Sequence, residues 1–202
     1  TFGLITSLQQ PSGNVTGLAN FTMELSAKRL ELIGEALPRA KRVAFLFFPE
    51  NNQRSLKAAE IGAKSLKLTL QPFEARGPAD FDGAFATMAK SRVDAVVVAQ
   101  EAIFFANYKQ IALLAGKYQL PSAGSNEFAE AGGMIGYQSN PTELYRRAAY
   151  FIDKILKGAK PGELPVERPT KFELVVNMKT AKALGIKIPN SILVRADKVI
   201  EW

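Results

Sequence analysis

The run Arg42-Val43-Ala44-Phe45-Leu46-Phe47-Phe48 is apolar almost without interruption and is stopped by Pro49-Glu50-Asn51-Asn52. Continuous rather than alternating hydrophobicity predicts a strand buried on both faces. Asn51 or Asn52 can cap a following helix, in which Leu56, Ala59, Ala63 and Leu66 fall three and four residues apart on one face. Leu68 to Phe73 predicts a second strand, and Pro72 places it at an edge or ends it early, because proline cannot donate to a central ladder. The alternation then continues with a helix from Pro78 through Phe81, Phe85 and Met88, a strand Asp94–Ala99, a helix Phe104–Tyr118, a short strand Leu120–Ala123, a short helix Glu127–Ala131 and a fifth strand Met134–Tyr137. Strand starts recur about every 26 residues through the fourth, enough chain for the crossover that a parallel pair requires. The pattern predicts an α/β fold of three layers, a parallel sheet with helices on both faces and right-handed connections.

The flanks differ. Gly3–Gln10 reads as the tail of a helix, Pro11-Ser12-Gly13-Asn14 as a turn, Val15-Thr16-Gly17-Leu18 as a short strand, and Met23–Leu37 as an amphipathic helix with Leu25, Leu32, Ile33 and Ala36 on its apolar face. Pro141 opens a long helix with Leu144, Ala148, Phe151, Ile152 and Ile155 inward, ended by Gly158. Pro161, Pro165 and Pro169 precede a strand Phe172–Val176 and a short helix Thr180–Leu184. This departs from the βα rhythm, so both ends are expected to leave the central sheet and pack elsewhere.

Composition narrows the chemistry. The chain has 202 residues, 47% hydrophobic, with neither Cys nor His. Disulfides, thiolate zinc sites, cysteine nucleophiles and every His-based dyad or general base are therefore absent, leaving only carboxylate clusters for a hard cation. The net charge of +7 is spread among acids along the chain, with no basic run interleaved with aromatics, so a solvated basic surface is expected and nucleic acid is not. No apolar stretch approaches the roughly 20 residues of a membrane span. The chain opens at Thr1-Phe2-Gly3 with neither a start Met nor a basic-then-apolar leader, which implies a removed leader or a fragment.

In parallel sheets ligands bind beyond the carboxyl ends of the strands. The loops there hold Glu50, Asn51 and Asn52; Gln100, Glu101 and Phe104; Ser125, Asn126 and Glu127; and Gln138, Ser139 and Asn140 beside Tyr137. Amides orient a polar solute, Glu meets an ammonium, and an aromatic ring stacks on a flat group. Asn51, Asn52, Ser125 and Asn126 serve equally well as helix caps, and Glu50, Glu101 and Glu127 as first-turn carboxylates. Phe104 and Phe105, being adjacent, cannot both face one way, so one belongs to the core. Neither G-x-G-x-x-G nor G-x-x-x-x-G-K-[ST] follows a strand, so no nucleotide cofactor is expected. Glu50 with Glu101 could imitate an acid/base pair, but nothing in the sequence sets their separation. The expectation is binding without transformation: no catalytic residue, no cofactor and no metal.

Several segments resemble the solute-binding proteins of ABC transporters, in the group of receptors for tryptophan and other small solutes with the type I periplasmic binding fold. They are Pro11–Gly17, Glu24–Leu32, Ala131-Gly132-Gly133 with Tyr137, Gly158–Pro161, Pro169–Asn177 and Thr180–Gly185. The resemblance implies two α/β lobes joined by crossovers, a small polar solute such as an amino acid in the cleft between them, a membrane permease as partner, and a place in the periplasm or anchored outside the cytoplasmic membrane. It also implies that most of the first lobe precedes Thr1. Residues 1–22 would then be a first-lobe remnant with a crossover, 23–138 the second lobe, and 139–202 a C-terminal helix, strand and crossover. Solute binding would be weakened by the missing wall, and uncovered apolar helix faces would permit a dimer. By position, the resemblance assigns Asn51, Asn52, Gln100, Glu101, Phe104, Asn126, Glu127 and Tyr137 to the ligand. The alternatives are the metabolite-sensing domain of a transcription regulator, which shares this architecture, and an α/β enzyme using Glu50 or Glu101.

Overall fold

The computed structural model describes residues 4–19, 22–51 and 53–201, the side chains of Thr22 and Met23 excepted. Asn52 lies outside the described residues. The chain divides into two units, each built from separated segments: residues 1–21 with 139–172, and residues 22–138 with 173–202.

The larger unit carries α1 (Thr22–Ala36), β1 (Arg42–Phe47), α2 (Gln53–Ser65), β2 (Thr69–Glu74), α3 (Pro78–Lys90), β3 (Ala95–Val98), α4 (Ala102–Phe105), α5 (Tyr108–Lys117), β4 (Ser122–Gly124), α6 (Asn126–Glu130) and β5 (Ile135–Ser139). The described strands form a seven-stranded sheet in the order β2-β1-β3-β4-β5-β6-β7, in which β6 is Phe172–Asn177 and β7 is Lys198–Ile200. β1 pairs in parallel with β2 and β3, β3 with β4, and β4 with β5. β2 is the edge strand that Pro72 predicted. The apolar runs behave as expected: Val43–Phe47 and Ala95–Val98 are buried throughout, with helices packed on both faces. α1 and α2 pack together over β3, β4, β1 and β2, while α3, α5 and α6 form a second group. Gly62 permits the close approach of α1 and α2, since a Cβ there would meet Ala27 Cβ at 2.9 Å.

Several expectations are corrected. The tail rejoins the sheet: after β6 come α8 (Met178–Ala183) and α9 (Asn190–Leu193), and β7 pairs in parallel with β6. Asn177 N–H donates to Met134 C=O, which sets the end of β6 beside the start of β5, so β6 and β7 run against the first five strands. Residues 173–202 thus complete the larger unit. Second, Phe104–Tyr118 is two helices. Asn107 Nδ2 donates to Ile103 C=O at 2.7 Å at the break, the competition between an Asn side chain and the helical ladder. Third, residues 4–10 are bends rather than a helix tail, and of the strand expected at Val15–Leu18 only a single bridge, Leu18 to Glu167, is present. Fourth, Leu66 lies beyond α2 and is exposed.

In the smaller unit, α7 (Pro141–Leu156) starts at Asn140, whose Oδ1 accepts from Glu143 N–H at 2.7 Å. Phe151 is buried, whereas Ile152, expected inward, is 58% exposed. Glu167 N–H donates to Gly17 C=O and Ala19 N–H to Glu167 C=O, tying the start of the chain to the segment after α7. Arg147 embraces the Glu167 carboxylate with Nε and Nη2 and lies over the Tyr150 ring.

Candidate functional site

The carboxyl ends of β3, β4 and β5 bring together a polar cluster whose centre no sequence pattern indicated, Arg29 of α1. Its neighbours along the helix, Leu25, Leu30, Leu32 and Ile33, bury on both sides, because α1 is covered by α2 and the sheet at once. Arg29, carried inward with them, is 0% exposed. Its Nε and Nη2 donate to Tyr137 C=O at 3.0 and 2.8 Å, and Nη2 reaches Gln100 Oε1 at 3.5 Å. The guanidinium therefore clamps the end of β5 to the loop after β3. Its Nη1 is buried without a hydrogen-bond partner. Burial pushes its pKa down to about 10, opposed by the nearby Tyr108 and Glu127.

Around it the loops are ordered by capping. Ser125 Oγ accepts from Phe128 N–H to start α6, which presents Asn126 and Glu127. Glycines let α6 sit directly on the strands: a Cβ at Gly124 would meet the Phe128 ring at 2.6 Å, and one at Gly136 would meet Asn126 Cα at 2.7 Å. Glu127 is half-buried and its Oε1 accepts from Gln138 Nε2 at 2.9 Å. Asn126 is buried; its Nδ2 donates to Glu173 Oε2 at 3.4 Å, and its Oδ1 has no partner. The Tyr108 hydroxyl is also buried. Ser125 lies near it without closing a bond of ordinary geometry, and burial raises the phenol's pKa. Three buried polar atoms lacking partners in one small region is unusual, because such groups ordinarily find one.

Of the residues assigned from sequence, Gln100, Asn126 and Glu127 belong to this cluster by their side chains and Tyr137 by its backbone carbonyl, while its phenol lies toward the charges of Lys28, Glu31, Asp197 and Arg195. Glu101 is adjacent, its Oε1 accepting from Ala102 N–H as the cap of α4. Asn51 is exposed at the end of β1, and nothing described ties it to the cluster. Phe104 is a correction: it is 0% exposed, set edge-on to Phe81 at 5.7 Å in the core, while Phe105 is the outward ring at 58%. Glu50 pairs with Arg76 at 3.0 Å, both well exposed. Arg29 was missed because a cation inside a Lys28-Arg29…Glu31 stretch looks solvated; only the double coverage of α1 buries it.

A concavity of about 600 Å³ between α5, α8 and β7 lies elsewhere on this unit, and the buried amide in its lining, Asn177, is satisfied by Ala129 C=O and Thr180 N–H. Among the described residues no group of three or more acidic side chains could hold a metal ion, and no helix is long and apolar enough to cross a membrane.

Residues 1–200 match the family described as ABC transporter substrate binding protein, and the chain belongs to that family. Its fold is that of a type I periplasmic binding protein. The chain is 23% identical over 190 residues to a tyrosine-binding protein of Clostridioides difficile (strain R20291), a match covering 92% of this chain and 54% of that protein. It thus spans about half the length of this curated relative. A solved ABC domain in complex with L-Trp from Streptococcus pneumonia is 27% identical with a TM-score of 0.83, covering 98% of this chain and 68% of that one. A conserved domain protein from Vibrio cholerae O1 biovar eltor is 26% identical with a TM-score of 0.88, covering 97% and 66%.

Proposed function

We propose that this chain is the solute-binding component of an ABC uptake transporter, working outside the cytoplasmic membrane with a permease as partner, and that it binds an amino acid without transforming it. Tyrosine and tryptophan are the leading candidates, given what the two relatives carry in their names. The observation that carries the reading is the polar cluster at the carboxyl ends of β3, β4 and β5, where the side chains of Gln100, Glu127 and Gln138 converge. Glu127 suits the ammonium, because Gln138 engages its Oε1 and leaves the second oxygen for a donor. Against an enzyme, Glu50 is engaged by Arg76 and Glu101 caps its own helix. Calorimetry of the chain against the twenty amino acids tests the reading. The expected result is one site per chain, tightest for tyrosine or tryptophan, with the amino acid recovered unchanged by mass spectrometry. Absence of heat with every amino acid, or recovery of a product, would overturn it.

A further inference from the structure

Arg29 and Glu127 are opposite charges behind one wall, and they differ in what a ligand can reach. Glu127 is half-exposed, whereas every atom of Arg29 is enclosed. The hydrogen bonds of Arg29 run to neutral acceptors, Tyr137 C=O and the Gln100 amide, and none of the ion pairs among the described residues includes it. Its charge is consequently not quenched by direct pairing. Its field passes through low-dielectric protein toward the wall, where screening is weak.

We infer that Arg29 acts by its charge and not by contact as the specificity-determining residue that favours ligands bearing a carboxylate beside their ammonium, so that free amino acids are accepted over the corresponding amines. This rests on the amino-acid reading of the site. A ligand carboxylate bonded to Gln100 Nε2 is separated from the guanidinium by two hydrogen bonds and the width of the amide between them, roughly 7–8 Å. At that range, with an effective dielectric constant near 20, a unit charge changes affinity on the order of tenfold or more. The sign depends on the ligand. A carboxylate is attracted and a lone ammonium repelled, so Glu127 alone would take either an amino acid or an amine, while Glu127 backed by Arg29 discriminates.

The test uses the full chain, calorimetry and three probes: L-tyrosine, tyramine, which lacks the carboxylate, and 3-(4-hydroxyphenyl)propionate, which lacks the ammonium. The wild type should bind tyrosine best. Arg29→Gln keeps a donor for Tyr137 C=O but removes the charge, and should narrow the tyrosine-over-tyramine ratio by on the order of tenfold. Arg29→Lys retains the charge and should keep most of that ratio. A merely structural role predicts otherwise: both variants would weaken the three probes alike, and that result overturns the inference while leaving the amino-acid reading intact. If Arg29→Gln does not fold, Arg29→Met, apolar and of similar volume, carries the test. It should narrow the tyrosine-over-tyramine ratio by a similar factor, and an unchanged ratio overturns the inference. A wild type that binds none of the three probes, nor any amino acid, overturns the reading and this inference with it.

Discussion

Replacing Gly136 by alanine tests the idea that bare backbone at β5 sets the position of the polar wall. An added Cβ would stand 2.7 Å from Asn126 Cα, 2.8 Å from Ser125 O and 3.0 Å from Ala129 Cβ. Ordinary contact begins near 3.4 Å, so the first two overlaps are 0.6–0.7 Å, and both are with backbone, which cannot rotate away. The start of α6 must lift by a comparable distance, and forcing one methyl group into a close-packed site costs about 1–3 kcal/mol. For a chain of this size each kcal/mol lowers Tm by about 2–4 °C. The same displacement carries Asn126 and Glu127, so affinity for L-tyrosine or L-tryptophan should fall more steeply than stability. Gly34→Ala in α1 is the matched control. A Cβ there meets nothing within 4 Å, and relief of glycine's helical penalty should stabilise by about 0.5–1 kcal/mol. Urea unfolding of both variants measures the pair through their midpoints at constant m. A Gly136→Ala protein as stable as wild type would refute the packing argument, as would a Gly34→Ala protein that loses stability.

Two further outcomes are expected. The Glu35 carboxylate accepts from Ser191 Oγ and Arg195, which hold its pKa below the ordinary 4.5. A lowered carboxylate stabilises the fold above 4.5 and loses that contribution as pH falls through the folded value. Acid unfolding of wild type should therefore be steeper with pH than that of Glu35→Gln, and superimposable titrations by circular dichroism would contradict the assignment. Asn140→Ala removes the cap of α7, since Oδ1 no longer meets Glu143 N–H, and should destabilise the chain by about 1 kcal/mol, with amide exchange fastest at residues 141–144.

Much of this was legible because it is local. Val43–Phe47 and Ala95–Val98 must be buried on both faces whatever surrounds them, and Pro72 cannot donate within a central ladder. Loop residues such as Gln100 and Glu127 follow from strand ends, which fall where the apolar runs stop. Phe104 against Phe105 was undecidable from spacing, because the break at Asn107 changes which ring turns inward. The tail was misjudged for a similar reason. Phe172–Asn177 looks like any short strand, and its place beside β5 depends on bonds to residues some forty positions earlier, Met134 among them.

The sequence by itself determined the α/β class, the sheet's parallel central strands and which loops gather at their carboxyl ends, since periodicity and punctuation are properties of neighbouring residues. Only the tertiary structure decided that β6 and β7 return antiparallel to the rest, and that Arg29 is enclosed against Tyr137 and Gln100. The physical reason is that burial of a charge is settled by what covers the helix from outside. α1 has a second cover in α2, and no pattern within residues 22–36 records it.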